Sequence, residues 1–96
     1  MIIIAGYTRT DAEKRESAVE AFRGMVERAR GYDGCLDFAI SPDAVDPERV
    51  NLFERWRDQI ALDAWRKVAG KLVKTRVKPR EISVSLYRTD KAEAPF

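Results

Sequence analysis

Glu54, Trp56 and Trp65 fall within one short stretch of the chain, Asn51 to Trp65. Strand alternation puts Glu54 on the same face as Trp56, two residues on. A carboxylate on a buried face is costly unless it is paired or neutral. Such an acid acquires a raised pKa and can accept the proton of a phenolic hydroxyl. The two indoles can wall a flat ring or simply fill the core. Tyr7 offers a hydroxyl that can donate to a developing oxyanion, and Phe22 and Phe38 supply further apolar lining. Each residue also has a plain structural reading: Glu54 as a salt-bridge partner, Tyr7 in cross-strand packing, Trp65 in a helix–sheet contact. The chemistry on offer is proton abstraction from an aromatic hydroxyl in an apolar pocket.

What the chain lacks narrows this further. It has no histidine, and therefore neither the commonest general base nor the usual haem ligand. With one cysteine, Cys35, zinc and blue-copper sites are excluded. No DxD-like cluster suggests magnesium, and neither GxGxxG nor a P-loop occurs. No metal and no cofactor are expected. Cys35 follows a turn without a basic neighbour in sequence, which argues against an activated thiolate. A single cysteine fits a reducing cytoplasm. The longest apolar run, Met1 to Ala5, is too short for a bilayer and has no basic segment before it, so it reads as a strand.

The net charge of +2 divides unevenly. Residues 1–50 carry seven basic and ten acidic side chains, whereas residues 51–96 carry eleven and six. Seven cations and no acid lie between Arg66 and Arg80. They lack the interleaved aromatics of a single-strand nucleic-acid platform, so they read as a solvated charged edge and no nucleic-acid partner is expected.

The elements that must position the candidate residues come in the order β-α-β-β-α-β. Ile2 to Thr8 is an apolar strand with two buried faces. Thr10-Asp-Ala-Glu13 matches a capping box, and the helix it opens runs to about Arg30 with Ala18, Phe22, Met25, Val26 and Ala29 as its apolar stripe. Asp33-Gly34 turns the chain into a strand from Cys35 to Ser41, with Leu36, Phe38 and Ile40 on one face. A polar connection leads to a third strand, Val50 to Arg57, in which Arg55 and Arg57 face away from Trp56 and can meet acids of a partner subunit. Asp58 caps a second helix with Ile60, Ala61, Ala64, Trp65 and Val68 as its stripe, and Gly70 ends it. Lys74, Arg76, Lys78 and Arg80 alternate as in an extended segment. Glu81 to Arg88 is the last strand, with Ile82, Val84 and Leu86 on one face. Residues 1–96 thus form one domain, with a core over about 1–88 and a polar tail over 89–96.

This order is the ferredoxin-like α+β sandwich, a four-stranded antiparallel sheet with two helices on one face. Apolar residues on both faces of the strands leave the second face in need of a cover, and a second copy packed sheet to sheet supplies one. With that order in place, the stretch Leu52-Phe-Glu-Arg-Trp-Arg-Asp-Gln-Ile-Ala-Leu-Asp-Ala resembles the third-strand signature of the antibiotic biosynthesis monooxygenase family. The Gly31-Tyr-Asp-Gly-Cys35 turn is similar to that family's "PG" turn. The resemblance covers roughly Met1 to Tyr87. It implies a dimeric α+β barrel and a cofactor-free oxygenase of small phenolic or quinol-like compounds, taking an aromatic molecule and O2. Another reading is a non-catalytic binding or structural relative. In the family's haem-degrading branch a second Trp follows nine residues after the first, as Trp65 follows Trp56. That branch also uses an Asn late in strand one and a His about ten residues beyond the second Trp. Tyr7 and Thr75 stand at those places, so the resemblance does not extend to haem degradation.

Overall fold

A computed structural model describes residues 1–70 and 78–96. Strands β1 (Ile2–Arg9), β2 (Cys35–Pro42), β3 (Arg49–Trp56) and β4 (Glu81–Arg88) form one antiparallel sheet in the order β2-β3-β1-β4. Helices α1 (Arg15–Ala21) and α2 (Arg23–Arg30) follow β1, and α3 (Gln59–Ala69) follows β3. The ferredoxin-like α+β arrangement expected from the element order is the observed one. Lys74, Thr75 and Arg76 lie outside the described residues, and with them most of the extended segment expected there.

Register fixes the two faces of the sheet. Ile2 pairs with Trp56, Ile4 with Glu54, Gly6 with Leu52 and Thr8 with Val50, so these residues share one face. Cys35, Phe38 and Ile40 join them from β2. The core forms on this face, where Ile2, Ile4, Phe38 and Trp56 pack beneath Met25 and Ala29 of α2 and Ala61, Leu62 and Trp65 of α3. The odd-numbered residues of β1, with Phe53, Arg55 and Tyr87, occupy the other face, which no helix covers.

Four local features depart from the sequence pattern, each for a physical reason. The capping box at Thr10–Glu13 does not form. Thr10 is buried, its N–H donates to the carbonyl of Glu48 at 2.9 Å, and the chain enters the helical region through a 3-10 turn at Ala12–Lys14 without a side-chain cap. The single helix expected up to Arg30 breaks at Phe22, where the N–H reaches back to the carbonyl of Val19 at 3.1 Å. Gly24 beside the break lowers the helical propensity there. A bulge between Cys35 and Asp37 takes Leu36 out of the alternation, and Leu36 is exposed. The buried stripe of α3 is Ala61, Leu62 and Trp65, while Ile60 points outward. Both stripes satisfy a 3.6-residue period, and packing decides between them, since Ala61, Leu62 and Trp65 are the residues that join the core. Asp58 is the N-cap, accepting from the N–H of Ala61 at 2.8 Å.

Close approaches hold the elements together. Gly34 has a φ of +87°, and a Cβ there would lie 2.3 Å from that of Ala61, so the turn before β2 seats directly against α3. Arg57 donates to Asp33 at 3.3 Å and to Asp58 at 3.3 Å, both within its own chain. Among the described residues no helix is long and apolar enough to cross a membrane.

Candidate functional site

The helix-covered face has two unlike ends. At one end Trp56 stacks on Trp65 with centroids 5.9 Å apart and planes 29° apart. Phe38 meets both indoles edge-on, at 6.5 Å and 6.0 Å, and Tyr32 meets Trp65 at 5.2 Å. Trp56 is 0% exposed and Trp65 3%. These rings are sealed and present no surface to a ligand.

Toward the other end the same face opens into a cleft of about 480 Å³, mouth included, between the sheet and the α1–α2 break. Phe22 and Met25 form its helical wall, while Phe38, Ile40, Val50 and Leu52 come from the sheet. Its polar groups are Thr8 and Glu54. A second hollow, of about 390 Å³, adjoins it and shares Thr8, Phe22 and Val50, continuing toward Thr10 and Pro79. The residues of β1 beneath this end are small. Gly6 cannot carry a side chain, because a Cβ at its φ of +153° would lie 2.0 Å from the carbonyl oxygen of Ser83.

Glu54 is the chemical centre of the cleft. The indole Nε1–H of Trp56 donates to its Oε1 at 3.0 Å. Burial pushes its pKa up, and the Trp56 hydrogen bond and the more distant charge of Arg66 offset part of that rise. Cys35, diagonal to it across β2 and β3, is likewise raised, mainly by burial and further by the Glu54 charge. It is no activated thiolate. Among the described residues no cluster of three metal-ligating side chains occurs.

The structure brings Glu54, Phe22 and Phe38 together in one cleft. It sets Trp56 behind Glu54 as the donor that holds the carboxylate, and it sets Trp65 deeper, against Trp56 rather than against the cleft. Tyr7 does not join them. It pairs with Asn51 on the opposite face, its ring lies under the Arg49 guanidinium at 4.0 Å, and its hydroxyl makes a long contact of 3.5 Å to Glu81. Thr8, one residue on, supplies the β1 hydroxyl that faces the cleft. A signal for this was present in β1, since Tyr7 has the parity of Arg9 and Thr8 that of Ile2 and Ile4. The apolar residues on both faces masked it. Leu52, Val50 and Met25 carry no chemical mark, and only the register and the helix packing bring them to the wall.

Residues 1–70 match the family model for antibiotic biosynthesis monooxygenases. The chain belongs to this family. Its fold superposes on a candidate antibiotic biosynthesis monooxygenase from Deinococcus radiodurans with a TM-score of 0.78, over 100% of this chain and 99% of that one at 19% identity. A second such candidate, from Nitrosomonas europaea, gives 0.71 over 93% and 98% at 22% identity. The haem degrader MhuD of Mycobacterium tuberculosis, whose structure has two haems bound in its active site, gives 0.69 over 98% and 100% at 13% identity. At such identities the likeness establishes the fold, not the reaction. A curated relative, an uncharacterised Synechocystis protein, is 27% identical over 62 residues, which are 65% of this chain and 42% of that protein. The cleft does not offer what haem iron usually takes. There is no histidine to ligate iron.

Proposed function

We propose that the chain is a small-molecule oxygenase that binds a phenolic or quinol-like aromatic compound in the Glu54 cleft and reacts it with O2 without a cofactor. The observation that carries this reading is an apolar cleft whose one ionisable lining group is a carboxylate with a raised pKa, fixed by an indole donor. A raised pKa brings the carboxylate closer to that of a phenol and makes it a better base. Removing the phenolic proton enriches the ring in electrons, and such an anion reacts with O2 directly. Phe22 and Phe38 hold the ring against the sheet. Trp56 acts on the ligand only through Glu54.

Oxygen uptake with a panel of hydroquinones and anthrones tests the reading. Consumption above background is expected, with a loss of at least tenfold in Glu54→Gln. No consumption by the wild-type protein on any compound overturns the oxygenase reading. A second reading, binding without turnover, is favoured by the lining of the cleft, which among the described residues gives Glu54 no second ionisable group to work with.

A homodimer packed sheet to sheet belongs to the same proposal. The face that no helix covers among the described residues carries Ile3, Ala5, Phe53 and Tyr87, an apolar surface that a second copy can cover. Sedimentation velocity checks this, since a stable monomer at micromolar concentration contradicts it. A cytoplasmic location rests on the single unpaired cysteine.

A further inference from the structure

The charge that the cleft can hold is a separate matter from the reaction. Glu54 Oε1 already accepts from the Trp56 indole, and Oε2 has no partner among the described residues. Among the described residues the rest of the lining contributes no cation. Arg66 is the one basic residue whose field weakens the carboxylate's burial penalty, yet among the described residues it forms neither a hydrogen bond nor an ion pair with Glu54. Among the described residues the cleft therefore holds one carboxylate in apolar surroundings with no compensating charge in contact.

We infer that the cleft admits one negative charge and no more: it takes an uncharged aromatic ligand that donates a hydrogen bond to Glu54 Oε2, and it excludes the anionic isostere of that ligand. A phenol or enol meets this rule before and after its proton moves. Glutamate with phenol, and glutamic acid with phenolate, both carry one negative charge in total. A bound carboxylate or phosphate beside ionised Glu54 carries two or more, close together in a medium of low dielectric, where like charges repel strongly. Such an anion enters only if Glu54 takes up a proton first. The methyl ether of the phenol keeps the shape but cannot donate, and it leaves Oε2 without a partner. The inference rests on the cleft being a site for small aromatic molecules, and it does not require turnover.

The test is an amide-shift titration of isotope-labelled full-length protein near neutral pH with 2-naphthol, 2-naphthoate and 2-methoxynaphthalene. Naphthol is expected to shift the amides of Thr8, Leu52 and Glu54 and to bind at least tenfold more tightly than naphthoate, with the methyl ether weaker than naphthol. Glu54→Gln retains an acceptor for the Trp56 indole, and in it the preference for naphthol over naphthoate is expected to fall below about threefold. Equal binding of naphthol and naphthoate by the wild-type protein, with shifts at the cleft, overturns the charge rule and leaves the cleft an aromatic site. Full discrimination surviving in Glu54→Gln also overturns the rule. The absence of cleft shifts with all three probes overturns both the rule and the reading beneath it. The wild-type comparison decides the question even if the variant does not fold.

Discussion

The two ends of the helix-covered face share one sheet, one layer of helices and one register, yet one end is filled and the other is hollow. At the filled end, Ile2, Ile4 and Phe38 sit with two indoles, and α3 lies close because Gly34 has no side chain to hold it off. At the hollow end, Thr8 and Val50 of the sheet and Phe22 at the helix break line a gap that no large side chain fills among the described residues. Side-chain volume, rather than the fold class, decides which part of the layer becomes core and which becomes a site. Glu54 stands at the junction. Its hydrogen bond runs into the filled end while its second oxygen is left for the hollow one.

Substitutions that trade volume between the ends sharpen this contrast. Trp56→Ala empties the filled end and is expected to destabilise the protein by about 3–5 kcal/mol, the usual cost of truncating a fully buried aromatic, as read from urea denaturation. A loss below about 1 kcal/mol would show that the cluster is not tightly packed. Asp58→Ala removes the cap of α3, the helix that carries Trp65. It is expected to cost about 1 kcal/mol, with a change in near-ultraviolet circular dichroism from the indole pair. Leu52→Phe acts on the hollow end. It is expected to abolish naphthol binding while changing stability by less than about 1 kcal/mol, well under the penalty for overpacking a filled core. An overpacking cost equal to that of a core position would mean that the cleft closes in solution.

The smallest effects are electrostatic. The folded-state pKa of Glu54 lies above its unfolded value, so the folded protein binds this proton more tightly. Its contribution to stability is fully present below the unfolded pKa and is lost as the pH rises through the folded one. Glu54→Gln has no such dependence, and it is expected to gain stability relative to wild type as the pH is raised from 4 to 8 in parallel urea titrations. Asp43, in the connection between β2 and β3, behaves in the opposite sense. Hydrogen bonds from the backbone of Asp46, the Asn51 amide and the backbone of Val45 hold its pKa down at about 2. Its stabilisation is present above the ordinary carboxylate range and is lost as the pH falls toward 2. Asp43→Asn is therefore expected to lose less stability than wild type on acidification.

Much of the fold was legible in the chain because its signals are local. Alternation in Glu81–Arg88, the Asp33-Gly34 turn and the Asp58 cap each act over a few residues. The site was legible only in part. Glu54 and Phe38 announced themselves by type and parity, and Phe22 by its place on a helical stripe. Tyr7 was placed in the cleft by its hydroxyl and lies on the far face, because an apolar strand hides its own parity.

Sequence by itself determined the order of elements, the absence of histidine chemistry, and the family, through the strand–helix joint that carries both tryptophans. Tertiary structure alone decided that Trp56 and Trp65 seal one end of the layer, that Trp56 serves Glu54 rather than a ligand, and that Thr8 replaces Tyr7 at the cleft. Hydrogen-bond register between strands far apart in the chain fixes which side chains share a face. Packing of the helices over that face then fixes which of its residues remain open, and neither quantity is written in any short stretch of sequence.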